Sequence, residues 1–181
     1  MKSKPSLAVL LIHDQRAGHL NPSLGVYDNL ETAYSTALYK TVTPTLKKWQ
    51  ISLLKKISWY PRLFDLFTAL FFKKNYLNQN INCIICSGMP NLIYGIFVSR
   101  SLKVPLFYAG DLRKVNSKLV SCTITALPQN TLSDQVVLTT PPVKKEFFNM
   151  QHDQLDQTTA LLVLGGATDE HPFTFKKKKK I

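Results

Sequence analysis

The sequence predicts an α/β protein built on a parallel sheet with helices on both faces. Strand-like apolar segments alternate along the chain with helix-like segments, which is typical of a Rossmann-like, doubly wound sheet. The 181 residues are 45% hydrophobic and 10% aromatic, a composition that can bury one substantial core. The chain also opens with an apolar strand, a polar loop and a helix in direct succession.

The predicted strands are apolar segments bounded by turns. The first four are strongly apolar, and the last two are shorter and rich in Thr and Val. In chain order they span residues 7–12, 37–42, 82–86, 104–108, 122–127 and 136–139. The predicted helices span residues 22–34, 45–77 with a break at Pro61, and 90–102.

The loop after the first strand has the features of a binding loop. Asn21 is suited to cap the following helix, and Pro22 is suited to its first turn because proline has no N–H to leave unpaired. The free N–H groups of such a helix terminus attract phosphates and other anions. His13, next to the strand, is expected to be a buried structural residue.

Ligands bind beyond the carboxyl ends of the strands in doubly wound sheets. The loops at residues 13–21, 87–90 and 110–113 are therefore expected to share one rim. Gly18, Ser87 and Gly88 stand where the backbone must turn, and their N–H groups are candidates to hold a phosphate or diphosphate. The alternative for these positions is an ordinary turn between strand and helix.

The chain is expected to contain one complete domain, residues 1–150, followed by a linker at 151–158. Residues 159–164 have the pattern of a strand that leads into Gly165 and Gly166, as at the start of a second Rossmann-like domain. Residues 159–181 are thus expected to be the opening strand of a truncated second domain plus a basic tail. The run 176–180 is either a solvated tail or the mark of a frameshift in a lysine-coding tract.

The net charge is +12, and it remains clearly positive without the lysine run at 176–180. This charge favours anionic partners. Cys83 and Cys86 lie in an apolar strand segment, where residues three apart point to opposite faces, so we expect them to be structural. No second Cys/His pair completes a zinc site, and the sequence predicts neither a metal site nor a cofactor.

The motif D-x-R-A-G-H-x-N, formed by residues 14–21, resembles the opening motif of the mitochondrial-fission Elm-type family. Bacterial members of that family are regarded as glycosyltransferases. G-H-x-N-P is also similar to the first loop of many two-domain, nucleotide-sugar-dependent glycosyltransferases of the B-type fold. Further landmarks fall in the family's order: a strand and glycine turn at 82–88, a strand that ends in Asp111, and LLVLGG at 161–166.

The resemblance implies transfer of a sugar from a nucleotide-sugar donor to a glycan or lipid-linked acceptor. His19 would deprotonate the acceptor hydroxyl, and Asp14 would orient His19 or act as the base instead. Gly165, Gly166 and Thr168 would meet the donor diphosphate. The residues predicted to bind the acceptor are Arg16, Gly18, Asn21, Ser87, Gly88 and Asp111.

Two departures from the family pattern bear on activity. Where the family tends to carry Pro, an acidic residue and His, this chain has Leu127, Pro128, Gln129 and Asn130, so both titratable groups are absent. The donor is held mainly by the second domain of the B-type fold. We therefore expect the 181-residue chain to be an incomplete form that is weakly active or inactive and binds nucleotide sugars weakly.

Residues 47–77 interleave lysines with Trp, Tyr and Phe. One interpretation is a basic amphipathic pair of helices at an anionic membrane surface, and the other is two core helices with solvated lysines. No nucleic-acid motif is present, and no nucleic-acid partner is expected. The expected location is cytoplasmic, with peripheral attachment to the inner face of the membrane under the first interpretation. A rival function is a non-catalytic adaptor, because plant members of the resembled family are linked to recruitment of a dynamin-like protein.

Overall fold

A computed structural model describes residues 4–73, 80–126, 134–138 and 142, all of which lie within the compact unit formed by residues 1–149. The described residues form a six-stranded parallel sheet with helices packed against it. Numbered in chain order, the strands lie across the sheet in the order 2-1-3-4-5-6, so the first strand lies inside the sheet and the chain extends it in both directions. The predicted Rossmann-like, doubly wound fold is confirmed.

The strands are β1 (Ser6–His13), β2 (Ser35–Val42), β3 (Cys83–Ser87), β4 (Leu106–Ala109), β5 (Cys122–Thr125) and β6 (Gln135–Val137). The helices are α1 (Ala17–Ala33), α2 (Lys48–Ile57), α3 (Pro61–Phe71) and α4 (Met89–Leu102), and a short 3₁₀ helix spans Ser117–Leu119. All six predicted strands are therefore present, with boundaries that shift by at most two residues.

The two faces of the sheet pack against different helices because alternate strand residues point to opposite sides. On one face Val9, Cys83 and Ile85 pack with Tyr27 of α1. On the other face, residues such as Ile84 join the larger core that α2, α3 and α4 cover. Strands that are buried on both sides need continuous apolar sequence, and this requirement explains the run from Val9 to Ile12, all of which is buried.

The two strand cysteines follow the same alternation. Cys83 belongs to the core beneath α1, whereas Cys86 belongs to the core on the opposite face. Burial raises the pKa of the Cys83 thiol to about 11 and raises that of Cys86 further, so neither thiol ionises near neutral pH. The expectation that these two residues point to opposite faces of the sheet is confirmed.

The prediction that Asn21 caps α1 is wrong, because the helix begins one turn earlier, at Ala17. Gln15 adopts a left-handed conformation with φ of 66°, and its N–H bonds His13 Nδ1, so the chain turns within two residues. The Arg16 carbonyl then accepts bonds from His19 and Leu20, which are the first bonds of the helix. Pro22 consequently lies inside α1, where it removes the N–H that would have bonded the Gly18 carbonyl.

The break predicted at Pro61 is confirmed. α2 ends at Ile57 and α3 starts at Pro61, because proline suits the first turn of a helix but cannot continue one. In the described residues no helix combines the length and the apolar character that a bilayer span requires. The predicted segments at 151–158 and 159–181 lie outside the described residues.

Candidate functional site

A cleft of about 350 Å³ opens where β1, β3 and β4 end. These strands are neighbours in the sheet, so the loops that follow them converge at one edge, as the sequence predicted. The lining residues come from all three loops and from the starts of α1 and α4: Arg16, His19, Ser87, Gly88, Met89, Pro90, Tyr108, Ala109, Gly110, Asp111 and Arg113.

A carboxylate–imidazole pair occupies the β1 side of the cleft. His19 Nδ1 lies 2.9 Å from Asp14 Oδ2 and 3.0 Å from Oδ1. The Asp14 side chain is 14% exposed and the His19 side chain is 27% exposed, so the carboxylate is sheltered while the ring reaches the cleft. An ionised carboxylate only accepts hydrogen bonds, so Nδ1 is the donor, and in the neutral form of the ring Nε2 carries the lone pair that can take a proton.

The environment of Asp14 favours its ionised form. Partial burial by itself raises the pKa of this carboxyl, but the hydrogen bond and charge of His19 oppose that effect, helped by bonds from Arg16 N–H and Asn91. The net result is a pKa below the ordinary value. Arg16 adds little, because its guanidinium is 75% exposed and its Nε lies 3.7 Å from Asp14 Oδ2.

A buried network of hydrogen bonds supports the Asp14 side chain, and the sequence analysis missed it. Asn91 is fully buried in the first turn of α4 and donates to the Ser87 carbonyl at 2.5 Å and to Asp14 Oδ1 at 3.4 Å. Its own carbonyl accepts from Thr43 Oγ1 at 2.6 Å. The available signal was an amide in an otherwise apolar helix start, M-P-N-L-I. Asn91 thus links the loops after β1, β2 and β3 and fixes the Asp14 side chain.

Gly88 lets the His19 ring approach the backbone. Its φ is +85°, a region that side chains rarely adopt, and a Cβ built on it would lie 2.4 Å from His19 Cγ and Nδ1. The glycine predicted as a sharp turn after β3 is confirmed. The absence of a side chain at Gly88 also leaves space for the His19 imidazole, which a larger residue would displace.

The β4 side of the cleft contributes a tyrosine that the sequence analysis also missed. Tyr108 is buried, and its hydroxyl donates to the Asp111 carbonyl at 3.4 Å. Burial, first among several causes, raises the pKa of this phenol, so it stays protonated. Gly110, with φ of +144°, leaves room for the ring: an added Cβ would lie 3.2 Å from the Tyr108 oxygen.

Positive charge flanks the dyad. Arg16 and Arg113 both line the cleft, and the first turns of α1 and α4 contain no acidic residue. The Arg113 backbone N–H bonds Asp111 Oδ1 at 2.8 Å, which shapes this loop. Two helix N-termini and two guanidinium groups, set against the one lining carboxylate of Asp111, give the cleft donors for an anion.

The structure brings together five of the predicted site residues as cleft lining, namely Arg16, His19, Ser87, Gly88 and Asp111, with Asp14 directly behind His19. Gly18 and Asn21 lie on α1 and are not among the lining residues. Gly18 has ordinary helical surroundings, with nothing within 4 Å of an added Cβ, so the expectation of a sharp turn there is wrong. The remaining predicted residues, Gly165, Gly166 and Thr168, and the segment 127–130 lie outside the described residues.

We expect the Asp14 carboxyl to titrate below its ordinary value of about 3.9. His19→Ala should raise the titration midpoint, because the desolvation remains and the main opposing contact is lost. A depressed pKa in the folded state means that Asp14 stabilises the fold above about pH 4 and that this contribution disappears as pH falls through the folded pKa. Carboxyl NMR resonances followed against pH would measure the midpoint.

The matched control for this titration is His13→Asn. The His13 ring bonds the Gln15 N–H and not the Asp14 carboxylate, so this change should leave the midpoint in place. An Asp14 midpoint that is the same with and without the His19 imidazole would contradict the assigned contact.

Among the described residues, the cleft is the place where a fixed acid–base pair and convergent backbone turns coincide. It lies at the carboxyl edge of the sheet, where open parallel α/β sheets bind ligands. No protein-family model matches the chain, and no curated protein and no solved structure matches it significantly.

Proposed function

We propose that this chain supplies the acceptor side of a nucleotide-sugar-dependent glycosyltransferase, with His19 as the general base. The observation that carries the proposal is the Asp14–His19 pair, whose atoms lie 2.9 Å apart at the edge of an anion-suited cleft. A base must be held in place, sheltered on one side and open on the other, and this pair meets each condition. The D-x-R-A-G-H-x-N resemblance supports the substrate class.

The proposed step is attack of an acceptor hydroxyl on the anomeric carbon of the donor sugar. The new bond joins the acceptor oxygen to the anomeric carbon, while the bond from that carbon to the nucleoside diphosphate breaks and its electron pair leaves with the diphosphate. The hydroxyl proton passes to His19 Nε2. Asp14 keeps Nδ1–H in the productive orientation and stabilises the imidazolium that forms.

The two arginines of the lining support a phosphorylated ligand at this site, although one carboxylate, Asp111, lines it too. Arg16 and Arg113 both reach the cleft, and two arginines together can hold a phosphate by paired N–H bonds. The Gly88 turn presents backbone N–H groups at the start of α4. A volume of about 350 Å³ lies at the lower end of the range for small-molecule sites.

The test is acceptor-dependent release of nucleoside diphosphate. The purified chain would be incubated with a panel of nucleotide sugars, each with and without glycan or polyprenyl-phosphate acceptors. In parallel, NMR would follow the His19 ring resonances during addition of each acceptor. We expect acceptor to perturb the His19 resonances, and we expect this perturbation to weaken in Arg113→Gln, because that change removes a cation from the cleft.

Lys103→Gln is the matched control, since it removes one positive charge outside the residues that line the cleft. Absence of both product formation and any acceptor effect on His19 would contradict the proposal. That outcome would favour the rival, non-catalytic adaptor.

A further inference from the structure

Helix α3 exposes a stripe of leucines. Leu63, Leu66 and Leu70 are 45%, 57% and 71% exposed, and their spacing places them on one side of the helix. The opposite side is the buried one and contains Phe64 and Thr68. A helix that covers a sheet ordinarily presents polar residues to the solvent. α3 instead exposes apolar residues on the side opposite its buried face.

Exposed aromatic residues border this stripe. Trp59 and Tyr60 lie in the turn between α2 and α3 and are 62% and 64% exposed, and Trp49 on α2 is 57% exposed. The Trp49 ring packs edge-on against Phe71 with centroids 5.9 Å apart, so it is held on the α2–α3 pair. Trp and Tyr rings of this kind are favoured where one side is apolar and the other is wet, as at a lipid interface.

The same segment is strongly cationic. Residues 47–73 contain six basic residues, Lys47, Lys48, Lys55, Lys56, Arg62 and Lys73, and one acidic residue, Asp65. Both Asp65 carboxylate oxygens accept bonds from Arg100, at 2.5 and 2.6 Å, so even this negative charge is compensated. The segment that carries the leucine stripe therefore has a net positive charge.

Part of this charge surrounds a cavity of about 770 Å³ on α2. It is lined by three α2 lysines and by Trp59, and two cations of the loop after β4 close it. The named cations are Lys48, Lys55, Lys56, Arg113 and Lys114. A phosphate headgroup fits this chemistry, because lysine and arginine donors surround the anion while an indole packs on its glycerol and acyl parts.

We infer that the α2–α3 pair docks on the surface of a membrane that contains anionic phospholipid. The leucine stripe and the aromatic residues enter the headgroup boundary, and the lysines bind lipid phosphates. α3 has 11 residues, about half the length that a bilayer span needs, so the helix lies in the plane of the membrane. Docking is a separate property from sugar transfer and does not depend on it.

The combination of features favours lipid over other anionic partners. A nucleic acid would use the cations and aromatic rings, but it would gain nothing from an outward stripe of leucines. A free phosphate would need only the cavity. An apolar stripe on a positively charged segment matches an anionic lipid surface, which offers apolar and anionic contacts together.

The experiment is sedimentation of the 181-residue chain with vesicles of phosphatidylcholine alone or mixed equally with phosphatidylglycerol. We expect much stronger binding to the mixed vesicles than to phosphatidylcholine alone, with partial release by salt because screening shortens the reach of the lysine charges. The chain has two tryptophans, Trp49 and Trp59, and both belong to the proposed docking surface. A blue shift of the tryptophan fluorescence on binding would therefore report their entry into the lipid.

Two triple variants separate the contributions. Leu63→Gln/Leu66→Gln/Leu70→Gln should abolish the salt-resistant binding, while Val136→Gln/Val137→Gln, also at exposed apolar positions, should bind normally. Lys48→Gln/Lys55→Gln/Lys56→Gln should weaken binding by roughly fivefold per lysine, or on the order of 100-fold. The charge-matched control is Lys4→Gln/Lys40→Gln/Lys103→Gln, which leaves α2 and α3 unchanged.

Circular dichroism and thermal melting would establish that each variant folds, as expected for changes at exposed or half-buried surface positions. Failure of the wild-type chain to sediment with the mixed vesicles would overturn the inference. Undiminished binding by a folded leucine variant would overturn it too, because adhesion would then be electrostatic alone. A nucleotide-sugar assay that fails would leave these outcomes unaffected.

Discussion

Replacing His19 by alanine is expected to lower the turnover number of glycosyl transfer by roughly 100- to 10,000-fold, the usual cost of removing a general base. The structure gives the reason: the ring lies at the cleft with Nδ1 bonded to the Asp14 carboxylate. The comparison is between wild type and His19→Ala in any protein that contains this domain and catalyses transfer. KM for the acceptor should change far less than kcat.

His13→Asn is the control for this measurement, because His13 ends β1 near the dyad but is not among the residues that line the cleft. Its turnover should stay within a few-fold of wild type. Asp14→Asn should also reduce kcat while leaving the ring in the cleft, because the carboxylate orients and stabilises the imidazolium. Turnover by His19→Ala near the wild-type value would eliminate His19 as the base.

Replacing Gly88 by alanine is expected to destabilise the fold by about 2 kcal/mol or more. Two independent effects add. The backbone φ of +85° is unfavourable for any side chain, and the new Cβ would lie 2.4 Å from the His19 ring. Because the ring must move to relieve the contact, activity should fall more than stability alone explains. Chemical denaturation would measure the free energy of unfolding.

Gly18→Ala is the matched control, since it makes the same chemical change one residue before His19. Gly18 is helical, exposed and without neighbours near an added Cβ, so alanine should stabilise α1 by roughly 0.5 kcal/mol. The two substitutions thus have opposite predicted signs. Equal stability of the Gly88→Ala protein and wild type would show that the turn after β3 is not as described.

The boundaries of α1 show where local patterns fail. Asn21 and Pro22 have the composition of a helix start, yet the helix starts at Ala17. The left-handed Gln15 and the bonds from His13 and Asp14 to the backbone complete the turn earlier than composition suggests. A proline inside a helix costs a hydrogen bond, and here that cost is offset by tertiary packing of the α1 face against the sheet.

The pairing of Asp14 with His19 was accessible from the sequence, because five positions separate them within one motif and the resemblance links them. The support from Asn91 was not, since the two residues are 77 positions apart. Thr43 lies at the end of another strand and joins the same chain of bonds. Such contacts depend on strand order, and strand order cannot be read from periodicity.

The sequence by itself determined the alternation of strands and helices, the buried character of β1 and β3, the break at Pro61 and the dyad residues. Each of these is a local property, written in the spacing of apolar residues or in a short motif. Tertiary structure alone decided that β1, β3 and β4 adjoin, that Gly88 must make room for His19, and that Asn91 holds Asp14. These features arise from contacts between distant segments, and the free energy of such contacts exists only once the sheet has assembled.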